Sequence, residues 1–188
     1  MSRRRALAVL ILTLVPLACR NDEVPEEARQ FETRFLQRMV SHHAMAVQTG
    51  RLCDKKAEHE ELRQLCQGIV TGQTREIDQM LSWLRDWYGV TPGPTVMSPA
   101  EHQQMMRLDQ AAGAAFETEF LKHMIDHHHS AVVESRDCPG QAAHAEVDQL
   151  CESVAESQQR EIEQMQGWLC SWHWVCGYTP QGGGHSGH

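Results

Sequence analysis

One stretch of this chain occurs twice, and no other feature constrains the fold as strongly. Residues 31–88 align without a gap on residues 116–173 at a constant offset of 85, with 27 identities over 58 positions. The period exceeds that of the usual solenoid repeats, and 188 residues can bury one sizeable core. The chain therefore reads as two fused halves of one domain. Each half also serves as a comparison for the other. Core positions drift between the copies, as at Val40/Ile125 and Ile69/Val154, whereas Met39/Met124, Met80/Met165, His42-His43/His127-His128 and Glu76/Glu161 are kept.

The amino terminus lies outside the duplication. Arg3, Arg4 and Arg5 precede an apolar run from Ala6 to Ala18, the pattern of a secretory signal at residues 1–18 and too short for a membrane-spanning helix. Ala18-Cys19 has the form of a lipoprotein cleavage site with Cys19 as the acylated residue, although Pro16 stands where Leu is usual; an ordinary cleaved signal is the alternative. Residues 19–24 would then be a tether, and the protein would sit in a bacterial envelope, in the periplasm or at the cell surface. Cleavage removes three of 17 basic residues and none of 25 acidic ones, giving 14 − 25 = −11. With no basic patch, nucleic acid is not an expected partner.

Six cysteines remain after Cys19. Cys53 and Cys66 recur as Cys138 and Cys151, which predicts one disulfide in each half, and Cys170 and Cys176 are left to pair together. Thiolate metal sites are the alternative in a reducing compartment.

Apolar residues recur at helical spacing from about Pro25 to Leu52 (Phe31, Phe35, Leu36, Met39, Val47), and a second series runs from Leu62 to Trp87. Residues 25–89 thus form a first helical hairpin, with a Pro/Gly-rich linker at 90–98. Ser98-Pro99-Ala100-Glu101 carries the start signals of a third helix, expected to run unbroken to about Arg136 with Met105 and Met106 in the core. After a Cys138-Pro139-Gly140 turn a fourth helix reaches about Trp174, so 99–176 is the second hairpin, and 177–188 is a flexible Gly/His tail. The predicted fold is all-α: a four-helix bundle of two duplicated antiparallel hairpins.

The cysteines set a register. If Cys53 bonds Cys66, facing residues of the first two helices sum to 119, which places His43 opposite Glu76 and Met39 opposite Met80. The corresponding sum of 289 in the second half places His128 opposite Glu161 and Met124 opposite Met165. Adjacent His side chains diverge by about 100°, so His42 and His127 face the other hairpin. Two readings compete. In one, His and Glu form a buried pair and Met fills the core. In the other, Met39, His42, His43, Glu76 and Met80, with Met124, His127, His128, Glu161 and Met165, are two metal sites. Thioether and imidazole suit Cu(I), with silver as its analogue; His and carboxylate accommodate Cu(II) or Zn(II), while Met is a poor ligand for zinc, iron or magnesium. His59 and His144 lie near turns and read as solvated. His123 and His129 are unique to the second half, and His185 and His188 lie on the tail. Trp83, Trp87, Trp168 and Trp172 read as packing at the bundle ends.

These residues resemble a family defined only as domain of unknown function 305. The resemblance rests on Phe35-Leu36, Met39, His42-His43 and Gln73 to Leu84, and on Phe120-Leu121, Met124, His127-His128 and Gln158 to Leu169. It implies a ferritin-like four-helix bundle, export in bacteria, and in some members copper binding or copper tolerance. Ser41 and Asp126 stand where the motif often has Pro. The combined expectation is a non-enzymatic, exported copper protein that sequesters the ion or delivers it to copper-handling envelope proteins. It would meet the membrane by a lipid anchor alone, and its oligomeric state is open. A carboxylate-bridged di-iron oxidase would need Glu-x-x-His motifs, and the chain has none. A copper-dependent oxidation at the same residues and a metal-free envelope interaction domain remain as alternatives.

Overall fold

The computed structural model describes residues 24–181; the signal peptide, Cys19, nearly all of the tether, and the tail from Gly182 with His185 and His188 lie outside the described residues. Among these the fold is all-α, with five helices and no strand: α1 (Glu26–Lys56), α2 (Glu60–Tyr88), α3 (Pro99–Gln110), α4 (Gly113–Arg136) and α5 (Ala145–His173). Helix α1 packs along α2 and α4 along α5, while α4 also meets α1 and α3. Disulfides Cys53–Cys66 and Cys138–Cys151 pin the two hairpin turns, and Cys170–Cys176 closes the end of α5.

The expected third helix is in fact two. Residues 110–115 are Gln-Ala-Ala-Gly-Ala-Ala, good helix formers but for one glycine, yet the helix stops at Gln110 and restarts at Gly113, whose φ is +57°. That left-handed conformation costs an L-residue about 1–2 kcal/mol and costs glycine little. Tertiary contacts stabilise the break. Leu108 is buried in the core, and Lys56 Nζ donates to the carbonyls of Leu108 and Asp109 in the last turn of α3. The rest of α3 lies at the surface: Leu108 is its one buried residue and Met106 is 49 % exposed, so Met105 and Met106 are not core as expected. The capping box at Ser98 and Glu101 forms as its spacing predicts.

Two buried clusters make up the core. One joins Phe35, Leu36, Met39, Met80 and Leu84 to Ala131, Cys138, Val147, Cys151 and Val154. The other joins Cys53, Leu62, Cys66 and Ile69 to Phe116, Phe120, Met124, Met165 and Leu169. The open end of each hairpin thus packs against the turn of the other. Each fully buried Phe or Leu contributes about 1.5–3 kcal/mol to this arrangement. Residues 177–181, expected to belong to a flexible tail, are held against the bundle. Tyr178 Oη donates to Asp126 Oδ2 (2.9 Å), Gln181 N donates to Asp126 Oδ1 (2.8 Å), and Gln166 Nε2 donates to Tyr178 O. Asp126, where the resembled motif often has Pro, is the acceptor that holds this segment.

Candidate metal centre

Helices α1 and α2, in the register fixed by Cys53–Cys66, bring His43 Nε2 to 2.7 Å from Glu76 Oε2. Helices α4 and α5 repeat the contact between His128 Nε2 and Glu161 Oε2, again at 2.7 Å. Both imidazoles are fully buried, whereas the carboxylates are about one quarter exposed. A neutral imidazole that donates from Nε2 to a carboxylate has Nδ1 as a bare lone pair. In both rings Nδ1 is buried without a hydrogen-bond partner. A lone pair so placed is either a standing cost of about 1–3 kcal/mol or a ligand atom. The carboxylate that fixes the tautomer is the usual outer partner of a metal-binding imidazole.

The thioethers lie on the same faces. Met39 and Met80 are fully buried in one core cluster, and Met124 and Met165 in the other. A helical side chain leans over the turn before it, so His43 and His128 lean toward Met39 and Met124. Glu76 and Glu161, from different hairpins, line one cleft of about 110 Å³ with Gln73, Gln158, Gly68 and Gly72. The small residues leave that gap open, and it brings solvent to both carboxylates.

His42 and His127 do not join those pairs. They meet each other between α1 and α4, with ring centroids 3.7 Å apart, and His42 Nε2 lies 3.0 Å from Ser130 Oγ and 3.1 Å from His127 O. Burial first, then the neighbouring His42 ring, holds the His127 imidazole well below its ordinary pKa, so it is neutral. With Met45 they line a separate cleft of about 730 Å³. The ten predicted residues thus divide into two equivalent His–Glu pairs with Met on the same helices, and one His–His contact between α1 and α4. His123 lies beside this group, 6.0 Å from His127 between centroids, and burial lowers its pKa to about 4.

His59 and His144, read as merely solvated, are each tied to a buried carboxylate, although the His59 side chain stays 39 % exposed. His144 Nδ1 is 2.8 Å from Glu32 Oε2, and Glu32 Oε1 accepts from Ala143 N and His144 N at 2.7 Å. At the other end His59 Nδ1 is 2.7 Å from Glu117 Oε2, and Glu117 Oε1 accepts from Glu58 N and His59 N. Each carboxylate is fully buried and belongs to one hairpin, while its partners open a helix of the other. There it sits at the positive end of the helix dipole. Burial alone would raise the Glu117 carboxyl; the hydrogen bonds from His59 and Glu58 outweigh it and hold the group below its ordinary value. The tryptophans complete these ends: Trp87 stacks on His144 and Trp172 on His59, each at 3.9 Å between centroids. The signal for these ties was present, since both copies keep the Glu and the His. Their pairing across hairpins requires the helix arrangement, which register within one hairpin does not give.

The profile of the family "Domain of unknown function (DUF305)" matches residues 32–169. The chain belongs to the DUF305 family. Its fold is similar to that of CopM solved in a Cu(I)-bound form, at 30 % identity and a TM-score of 0.68, over 76 % of this DUF305 chain and 97 % of that one. CopM in an Ag-bound form is similar at 32 % identity and a TM-score of 0.66, over 76 % and 97 % of the two chains. A DUF305 protein from Streptomyces coelicolor shares the fold at 24 % identity and a TM-score of 0.67, over 77 % and 95 %. No curated protein matches this DUF305 chain.

Proposed function

We propose that this DUF305 protein binds copper as Cu(I), with silver as an accepted analogue, and holds it for sequestration or delivery. The observation that carries the reading is the pair of buried His43 and His128 rings, each anchored at Nε2 by a carboxylate and each with an unpartnered Nδ1. In this account Nδ1 and the thioethers of Met39 and Met80, or of Met124 and Met165, are the ligands. Glu76 and Glu161 orient the rings and attract the cation at the shared cleft. Soft sulfur and imidazole donors favour Cu(I) over zinc or iron, and the Cu(I)- and Ag-bound forms of CopM support the same class of ion. His42 and His127 would accept Cu(II) or pass an ion between halves.

We read the architecture as a ferritin-like four-helix bundle of two duplicated hairpins, with α3 an added segment of the linker. The Arg3–Cys19 sequence supports export to the bacterial envelope and a lipid anchor at Cys19. Partners would then be the metal ion and envelope proteins that exchange it. No enzymatic step is assigned, because the ligand set accounts for ion holding without one.

The test is an anaerobic Cu(I) competition titration of disulfide-intact protein beside a variant with Met39, Met80, Met124 and Met165 changed to Leu. The reading requires tight stoichiometric binding that the variant loses. Equal, weak binding by both proteins would assign the Met and His face to core packing.

A further inference from the structure

Both ends of the molecule carry the same Glu–His tie, and the two ties differ in one residue that reaches the carboxylate. At one end Glu32 is tied to His144 and accepts from the hydroxyl of Tyr88. At the other Glu117 is tied to His59, and the residue equivalent to Tyr88 at the offset of 85 is His173. His173 Nε2 lies 3.4 Å from Glu117 Oε2; its side chain is 5 % exposed, and the nitrogen is buried without a hydrogen-bond partner. His59, Glu117 and His173 each offer one ligand atom, and the three atoms all lie within 4.8 Å of one another. Among the described residues this is the one group of three His, Cys, Asp or Glu side chains so placed.

We propose that His59, Glu117 and His173 form a second kind of metal site, one for a borderline divalent ion such as Zn(II), separate from the thioether sites. The donors are two imidazoles and a carboxylate with no sulfur, the set that zinc takes with a further position left for water. Bonds of about 2.0–2.2 Å in tetrahedral geometry set neighbouring ligand atoms about 3.3–3.6 Å apart. The 3.4 Å between Glu117 and His173 already has that spacing. The 2.7 Å between His59 and Glu117 is a proton's spacing, and it opens when an ion replaces the proton. Access is from solvent: the His59 side chain is 39 % exposed, and His173 lines an open cleft with Trp172 and Thr118. The first-copy end is an internal control, because a phenol replaces the third ligand there and the rest of the tie is the same.

Zn(II) alone is the probe, titrated against a competing chelator on disulfide-intact protein. Converting the site to its counterpart, His173→Tyr, is expected to remove one tight equivalent, and the reciprocal Tyr88→His to add one. Each change is read against the wild-type stoichiometry, so Zn(II) held at the other sites does not alter the outcome, and loss of the Cu(I) sites would leave it standing. Should His173→Tyr fail to fold, nitrogen NMR of the wild-type imidazoles decides: Zn(II) must move His59 Nδ1 and His173 Nε2 to metal-bound positions. An unchanged stoichiometry in a folded His173→Tyr protein, or rings indifferent to Zn(II), would overturn the proposal and leave a structural tie.

Discussion

Glu32 and His144 are 112 residues apart in the chain and 2.8 Å apart in the structure, and their contact joins the open end of one hairpin to the turn of the other. The same carboxylate accepts from two backbone N–H groups at the start of α5, a helix whose own N-cap residue makes no side-chain cap.

Removing that carboxylate strands two donors at a helix start. Glu32→Ala is expected to destabilise the metal-free protein by about 2–4 kcal/mol, since each buried unpaired donor costs about 1–3 kcal/mol and some will be rehydrated. Glu27→Ala, at an exposed position five residues earlier in the first turn of α1, should cost no more than about 1 kcal/mol. Urea unfolding of the two variants makes the comparison.

The break between α3 and α4 depends on Gly113. A Cβ there would adopt φ +57° and meet Glu58 Oε1 at 3.3 Å, so Gly113→Ala should cost about 1–2 kcal/mol. Gly93 has no positive φ and nothing within 4 Å, and Gly93→Ala should leave the thermal midpoint within about a degree of wild type.

If Glu76 orients His43 and does not bind the ion, Glu76→Gln keeps an acceptor for Nε2 and changes affinity more than stoichiometry. The expected result is the same number of Cu(I) ions with one site weakened about 10–100-fold. Loss of a whole equivalent would make Glu76 a direct ligand. Competition titration with a calibrated Cu(I) chelator separates the two.

Acid should destabilise the metal-free protein earlier than its carboxylates require. Burial lowers the pKa of His123 from 6.5 to about 4, outweighing the attraction of Asp126. Between those values the unfolded chain binds a proton that the folded chain does not, so stability falls as pH drops from about 6.5 toward 4. His127 acts in the same direction. In His123→Gln the thermal midpoint should fall less steeply across that window.

The pairing of α1 with α2 and of α4 with α5 was legible because two kinds of sequence information coincided. Cysteines repeated at the offset of 85 fixed the height of each hairpin, and helical rise then placed His43 opposite Glu76 and His128 opposite Glu161. His42 and His127 followed from their angular separation from those rings. What was not legible lies between hairpins or in single backbone angles. Glu117 and His59 belong to different halves, so no register within a hairpin relates them. The αL conformation of Gly113 is stabilised by the docking of Leu108 and the reach of Lys56, while the local sequence Ala-Ala-Gly-Ala-Ala favours a continuous helix. Tyr88 and His173 differ between the copies, and only their position beside the two buried carboxylates makes that difference chemical.

If Cu(I) is held as proposed, its ligands are Met sulfur and the imidazoles of His43 and His128. X-ray absorption at the copper edge of the Cu(I)-loaded, disulfide-intact protein tests it most directly, because sulfur and nitrogen neighbours scatter differently. The account predicts mixed sulfur and imidazole scattering that loses its sulfur component when Met39, Met80, Met124 and Met165 are changed to Leu. A first shell of nitrogen and oxygen alone in the unaltered protein would contradict it.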